Sequence, residues 1–331
     1  MHRPIIAITM GDPAGIGPEV LAKAVASYEV QRIARVIVIG DSRFLAEGLK
    51  IAKVTNFKIN AVTNPADAVW GSNYINIIDL KNADPKQIKV GKIQPAAGKA
   101  AVAYVLKAIE LAKAKKVDAI VTGPIHKEAM HKAGYKYSGH TEILAEKTGT
   151  KNYAMLFVSD NLWVLLTTVH IPLREVSGKL TKADIVAKTK LGHELLLKLR
   201  GKKPRIAMAG LNPHAGEAGI FGTEEEKIIV PAVKELVKAG LNVKGPISPD
   251  AVFYLANVGM YDLVVSHYHD QALIPLKLLS FNRSVNVTLG LPFVRTSVDH
   301  GTGFDIAGKG WANANSMIEA IKVAAHFTKT I

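Results

Sequence analysis

The chain has no cysteine in its 331 residues. That excludes disulfides, thiolate nucleophiles, iron–sulfur ligation and cysteine-type zinc sites, so any metal must be held by histidine and carboxylate. Aromatic residues make up only 6%, which leaves little for stacking on nucleic-acid bases. Acidic residues are scarce beside basic ones, 28 against 42, and the net charge is +14. A basic chain invites a nucleic-acid reading. Its lysines, however, are spread between apolar positions in helix-like stretches such as KAIELAKAKK (107–116) and KTKLGHELLLKLRGKK (188–203). Nucleic acid is therefore not the expected partner, and a bias toward small anions such as phosphates is. No run of about 18 apolar residues occurs, so no membrane span is expected. The opening MHRPIIAITMGDPAG enters a strand pattern at once, with no apolar signal region. A cytoplasmic protein is the expectation.

Hydrophobic residues make up 48%, enough for a large core, and the length suits about two domains. Short apolar runs alternate with amphipathic stretches: strands at 5–10, 36–40, 74–80, 118–122 and 205–209, helices at 98–115, 184–199 and 316–328. That alternation predicts a doubly wound, mostly parallel α/β architecture. The middle, 126–270, reads as a second lobe inserted between 1–125 and a C-terminal return, 271–331. The loop GDPAGIGPEV (11–20) suits either a weak dinucleotide signal or a plain tight strand-to-helix turn. Thr141 is expected to cap a helix that opens at Glu142, beside His140, which makes either an anion site or a simple cap.

The densest chemistry lies in 262–313. Apolar strands at 263–265 and 285–289 border His267, His269, Asp270, Lys277, Asn286, Arg295, Asp299 and His300. Ligand sites in open α/β sheets form beyond the carboxyl ends of strands, so this stretch reads as most of an active site. Of eleven histidines, three share one context: His170, His214 and His269 each follow an apolar strand. Three imidazoles with positions left open can hold a catalytic divalent ion, and a satisfied structural histidine is the competing account of each. Asp250 and Asp270 are possible further ligands or partners of ligands. His2, His131, His193 and His326 sit in helical or terminal contexts, while His267 and His300 have no assigned role. Lys277, Asn286, Arg295 and Thr141 have the chemistry of a phosphate clamp.

Taken together, GDPAGIGPE (11–19), TGPIHKEAM (122–130), GHTE (139–142), HIPLR (170–174), LNPHAGE (211–217), YHDQ (268–271) and NVTLGLPFVRTSVDHGT (286–302) resemble the 4-hydroxythreonine-4-phosphate dehydrogenase family, in order and over nearly the whole chain. The segment HGTGFDIAGKGWAN (300–313) also looks like the adenosine-binding loop of isocitrate and isopropylmalate dehydrogenases. The resemblance implies a two-lobed α/β/α fold of that type, with mostly parallel sheets and an active site in the interlobe cleft at a dimer interface. It implies a homodimer with shared active sites, NAD or NADP as cofactor, and a divalent ion (Zn, Mg, Mn or Co). Carried over by motif, the metal ligands would be His170, His214 and His269. The substrate would meet His140, Thr141, Lys277, Asn286 and Arg295, and the cofactor Gly290, His300, Gly301, Asp305 and Asn313. Lys277 and Asp250 are the candidates for the proton acceptor.

The implied reaction oxidises a secondary alcohol and then loses carbon dioxide from the β-keto acid. ITMGDPAGIGPE (8–19) and IPLKLLSF (274–281) look more like the branch associated with D-threonate and D-erythronate 4-phosphates. Two other classes compete: a zinc lyase or aldolase on a phosphorylated sugar, and a non-catalytic binder of a phosphorylated metabolite.

Overall fold

Brief runs of β-branched and aliphatic residues, closed by glycine or proline, form short strands. The computed structural model describes residues 3–71, 73–281 and 283–330, so His2 lies outside it. Its strands are β1 (Ile5–Thr9), β2 (Arg35–Gly40), β3 (Lys58–Val62), β4 (Tyr74–Asp79), β5 (Ala119–Thr122) and β6 (Ala154–Val158). They continue with β7 (Trp163–Leu166), β8 (Ile206–Ala209), β9 (Val243–Ile247), β10 (Leu263–Ser266), β11 (Val285–Leu289) and β12 (Val294–Ser297).

The chain forms two compact units, one of residues 1–151 with 291–329 and one of residues 152–290. In the first, the strands run parallel in the order β3-β4-β2-β1-β5-β12. β1, β2 and β5 are apolar along nearly their whole length and almost wholly buried, as strands covered by helices on both faces must be. In the second unit the order is β11-β6-β7-β10-β8-β9. There β6 is antiparallel to β11 and to β7, and the other pairs are parallel. Leu162, Val164, Leu166, Val264 and Leu276 anchor its core at 0% exposure.

The helix Pro95–Lys113 explains where the first unit ends. A Cβ at Gly98 would lie 2.3 Å from the Ala129 carbonyl, so this helix and Lys127–Lys132 touch backbone to backbone. Residues 126–148 thus belong with the N-terminal strands, and the units divide at 151/152 and 290/291 rather than at the expected 125/126 and 270/271. Among the described residues no helix is long and apolar enough to cross a membrane.

Candidate active site

In parallel sheets the carboxyl ends of the strands line up, and the expected residues of the first unit collect there. Arg295 lies on β12, 2% exposed, in register with Ile120 of β5. Its Nη2 donates to Thr122 Oγ1 at 2.7 Å. Burial pushes the guanidinium down to about 9, opposed by the negative charge of Glu142. It is still a cation at neutral pH, and a buried cation is costly unless an anion compensates it.

His140 and Thr141 open the helix His140–Thr148. Gly139 is its N-cap, in an extended conformation, and no side chain caps it. Thr141 is therefore not the cap expected from the sequence: it sits in the first turn, 3% exposed. His140 Nε2 is buried with no hydrogen-bond partner among the described residues. Burial and then the charge of Arg295 hold its imidazole well below 6.5, against a backbone hydrogen bond at Gly123. A neutral imidazole, a buried guanidinium and a helix N-terminus form an anion-receiving arrangement. A cavity of about 130 Å³ borders it, lined in part by Gly123, Lys127, His140, Ser297 and His300. Lys127 was not singled out from the sequence, although TGPIHKEAM contains it.

The two glycine-rich segments of this unit pack on each other. Ile16 N donates to Thr302 O at 2.9 Å, and a Cβ at Gly15 would lie 2.6 Å from that same oxygen. Glu19, 2% exposed, accepts from the backbone N–H of Gly310 and Ala312, while Lys23 donates to the carbonyls of the same two residues and to Glu19 at 2.7 Å. Glu19 thus anchors the 300–313 loop rather than serving only the positive end of its own helix. Asn313 accepts from Asn315 N at 2.7 Å at the start of the last helix. His300 Nδ1 lies 2.9 Å from Gly301 O, Asp305 is exposed, and a Cβ at Gly301 would meet open space. Gly290 belongs to the second unit. There its φ of +89° and the 2.2 Å from its would-be Cβ to Asn152 O account for glycine.

In the second unit, His170 follows β7 and His269 follows β10, and their rings are 5.5 Å apart. His269 Nδ1 pairs with Asp270 Oδ1 at 2.7 Å, which directs Nε2 outward as a carboxylate does for a metal-binding histidine. His214 is exposed, beside Phe221. It stands in a run from His214 to Ala218 in which every φ is positive. Four of those residues are not glycine, at roughly 1–2 kcal/mol each. Glu225, 3% exposed, holds the loop in place by accepting from Leu211 N, Asn212 N and Asn212 Nδ2. Burial acts to raise its pKa, and these hydrogen bonds overcome it and keep the group ionised. Among the described residues no three of the side chains able to bind a metal come together within the chain. Asp250 lies at the start of the helix Pro249–Asn257 and is bonded to Ser248, which lowers its pKa with a smaller contribution from His214. Lys277 lies on the helix His269–Ser280, its Nζ 5.7 Å from the Phe281 ring. Asn286 lies on β11, and its Oδ1 is buried without a partner among the described residues.

His267 supplies what the sequence left open. It is 0% exposed, its Nε2 is 2.8 Å from Ala209 O and its Nδ1 is 3.3 Å from Thr167 Oγ1. Its backbone N–H donates to Gln271 Oε1, and Gln271 Nε2 donates to Gly210 O. One buried knot thus ties together the ends of β7, β8 and β10, the strands that precede His170, His214 and His269. His267→Ala is expected to cost about 2–4 kcal/mol of stability, read from the urea midpoint. A variant with an unchanged midpoint would remove this role.

The pyridoxal phosphate biosynthetic protein PdxA family matches residues 32–324. A 4-hydroxythreonine-4-phosphate dehydrogenase of Desulforapulum autotrophicum is 44% identical over 98% of this chain and 95% of its own. A D-threonate 4-phosphate dehydrogenase of Pectobacterium atrosepticum is 45% identical over 97% and 98%. The crystal structure of a 4-hydroxythreonine-4-phosphate dehydrogenase from Klebsiella pneumoniae superposes with a TM-score of 0.90 at 43% identity, covering 98% of each chain. A β-decarboxylating dehydrogenase of Thermococcus kodakarensis, 15% identical with a TM-score of 0.51 over 97% and 82%, shares the fold alone. The chain belongs to the PdxA family.

Proposed function

We propose that this chain is a divalent-metal- and NAD(P)-dependent dehydrogenase. Its substrate is a small 4-phosphorylated hydroxy acid: D-threonate or D-erythronate 4-phosphate, or 4-hydroxy-L-threonine 4-phosphate. Its relatives are named dehydrogenases of such acids, and no observation favours the lyase or the non-catalytic binder. The observation that carries the reading is the buried Arg295 beside the neutral His140 and Thr141 in the first turn of its helix, a set suited to a phosphate dianion.

The imidazoles of His170, His214 and His269 would hold the divalent ion, and such borderline ligands suit zinc or cobalt better than magnesium or manganese. When bound, such an ion would supply Lewis acidity and a nicotinamide would supply the hydride acceptor. The protein's groups do the rest. Arg295, His140 and Thr141 hold the phosphate, with Lys277 and Asn286 as further polar contacts. Asp250 or Lys277 takes the hydroxyl proton. The alcohol carbon gives up its hydrogen as hydride, and the resulting β-keto acid releases carbon dioxide. The product is dihydroxyacetone phosphate from the sugar acids or 3-amino-2-oxopropyl phosphate from the amino acid. The 300–313 loop, clamped by Glu19 and Lys23, binds the nucleotide.

The chain acts as a homodimer whose active sites draw on both copies. Ile274, Leu278 and Phe281, at helical spacing, are 66%, 84% and 71% exposed. An apolar stripe of that kind marks an association surface. The test is absorbance of reduced nicotinamide, with NAD or NADP, a divalent ion and each of the three acids in parallel. Chelator-sensitive reduction is expected, and the fastest acid identifies the branch. No reduction in any well would overturn the activity.

A further inference from the structure

At the opposite edge of the first unit's sheet, where β1, β2 and β4 begin, lies a cavity of about 300 Å³, at the small end of ligand sites. Three guanidinium side chains line it: Arg3, Arg32 and Arg35. Arg3 Nη1 donates to Gln31 O at 2.5 Å, and Arg35 lies 5.5 Å from the Trp70 ring centre. Arg35 Nε is buried and has no hydrogen-bond partner among the described residues. Among the described residues no carboxylate lines the cavity: Glu29, on the same helix as Arg32, feels the Arg32 charge but pairs with Lys322. Three like charges in one hollow repel one another, and an anion there would relieve this.

The walls are aromatic. Tyr28 and Tyr74 stand 77% and 40% exposed beside Trp70, above an apolar floor that includes Val25, Ala34 and Ile75. The Trp70 wall is fixed from within. Asn76, 3% exposed, accepts from Val69 N at 2.9 Å and donates to Val69 O at 3.0 Å. A preformed hollow loses less on binding than one that must be ordered. Guanidinium groups match phosphate and carboxylate bidentately, and aromatic faces take a flat ring.

We infer that this cavity is a second ligand site, for a small flat aromatic ring that carries a phosphate or a carboxylate. It is separate from the residues assigned to the dehydrogenase reaction and does not depend on that assignment.

The test uses the full chain with NAD at saturation, so that the 300–313 loop is filled. Phenyl phosphate and benzoate are titrated by ligand-detected NMR up to about 10 mM, with inorganic phosphate and phenol as the two halves of the chemistry. At least one aryl anion is expected to bind at least tenfold more tightly than either half, and the better of the two tells phosphate from carboxylate. Arg32→Ala, at an exposed position, and Trp70→Leu should each weaken that binding at least fivefold, with dehydrogenase activity unchanged. The site is overturned if neither aryl anion binds, if neither binds more tightly than inorganic phosphate and phenol, or if both variants bind like the parent.

Discussion

Replacing Arg295 by methionine is expected to raise KM for the 4-phosphorylated substrate by roughly a hundredfold or more, the equivalent of about 3 kcal/mol, while leaving the ligand-free protein as stable as before or more so. The two effects have opposite signs for one reason. A cation whose folded pKa lies near 9 and whose ordinary value is 12.5 is disfavoured by folding at every pH below about 9, and that cost fades as pH rises from about 9 toward 12.5. At neutral pH it is fully present. Each pKa unit corresponds to about 1.4 kcal/mol, so several kcal/mol are held against the fold. Methionine removes that cost and forfeits polar contacts that include the bond to Thr122 Oγ1, worth about 1 kcal/mol, and the attraction of Glu142. The balance favours the variant until an anion arrives. Thermal unfolding with and without the substrate acid measures this: the ligand-induced rise seen in the parent should vanish in the variant. A variant that unfolds several degrees lower without ligand, yet keeps its KM, would make Arg295 a structural residue.

Much of this was legible before the fold was known, for a physical reason. β1, β2, β5, β8 and β10 are apolar along nearly their whole length because both faces are buried, and such runs announce themselves. The strand-end positions of His214 and His269 followed from those runs and that of His170 from the apolar run before it, whereas Arg295 lies within β12 (VRTS), which no apolar run announced. β3 was missed, since KINAV is an edge strand with little buried surface and no apolar run. The cuts at 151/152 and 290/291 were missed because Gly98 against Ala129 is a backbone approach with no periodic signature. Glu19, Glu225 and His267 act on backbone groups far away in sequence: Glu19 on Gly310 and Ala312, Glu225 on Leu211 and Asn212, His267 on Ala209. Nothing local tells a buried anchoring carboxylate from a solvated one.

The histidines give the second large effect. His170 and His214 are exposed, and the His269 side chain is 40% exposed. Alanine at His214 or His269 should therefore change stability by no more than about 0.5 kcal/mol. Turnover should fall by roughly a thousandfold or more, as expected when several kcal/mol of charge stabilisation are lost. Within one chain His170 and His269 come near each other, and among the described residues no third donor joins them. If the active site is shared between copies, each inactive variant lacks a ligand that the other still carries. His214→Ala and His269→Ala chains, unfolded together and refolded as a mixture, should then recover activity that neither shows alone. Random pairing makes half the dimers mixed, and each mixed dimer has one complete trio out of two, so about a quarter of the parent activity should return. The recovered activity should be chelator-sensitive. A mixture that stays as inactive as its components would sink the shared trio, and a His269→Ala chain with near-normal turnover would sink the metal site itself.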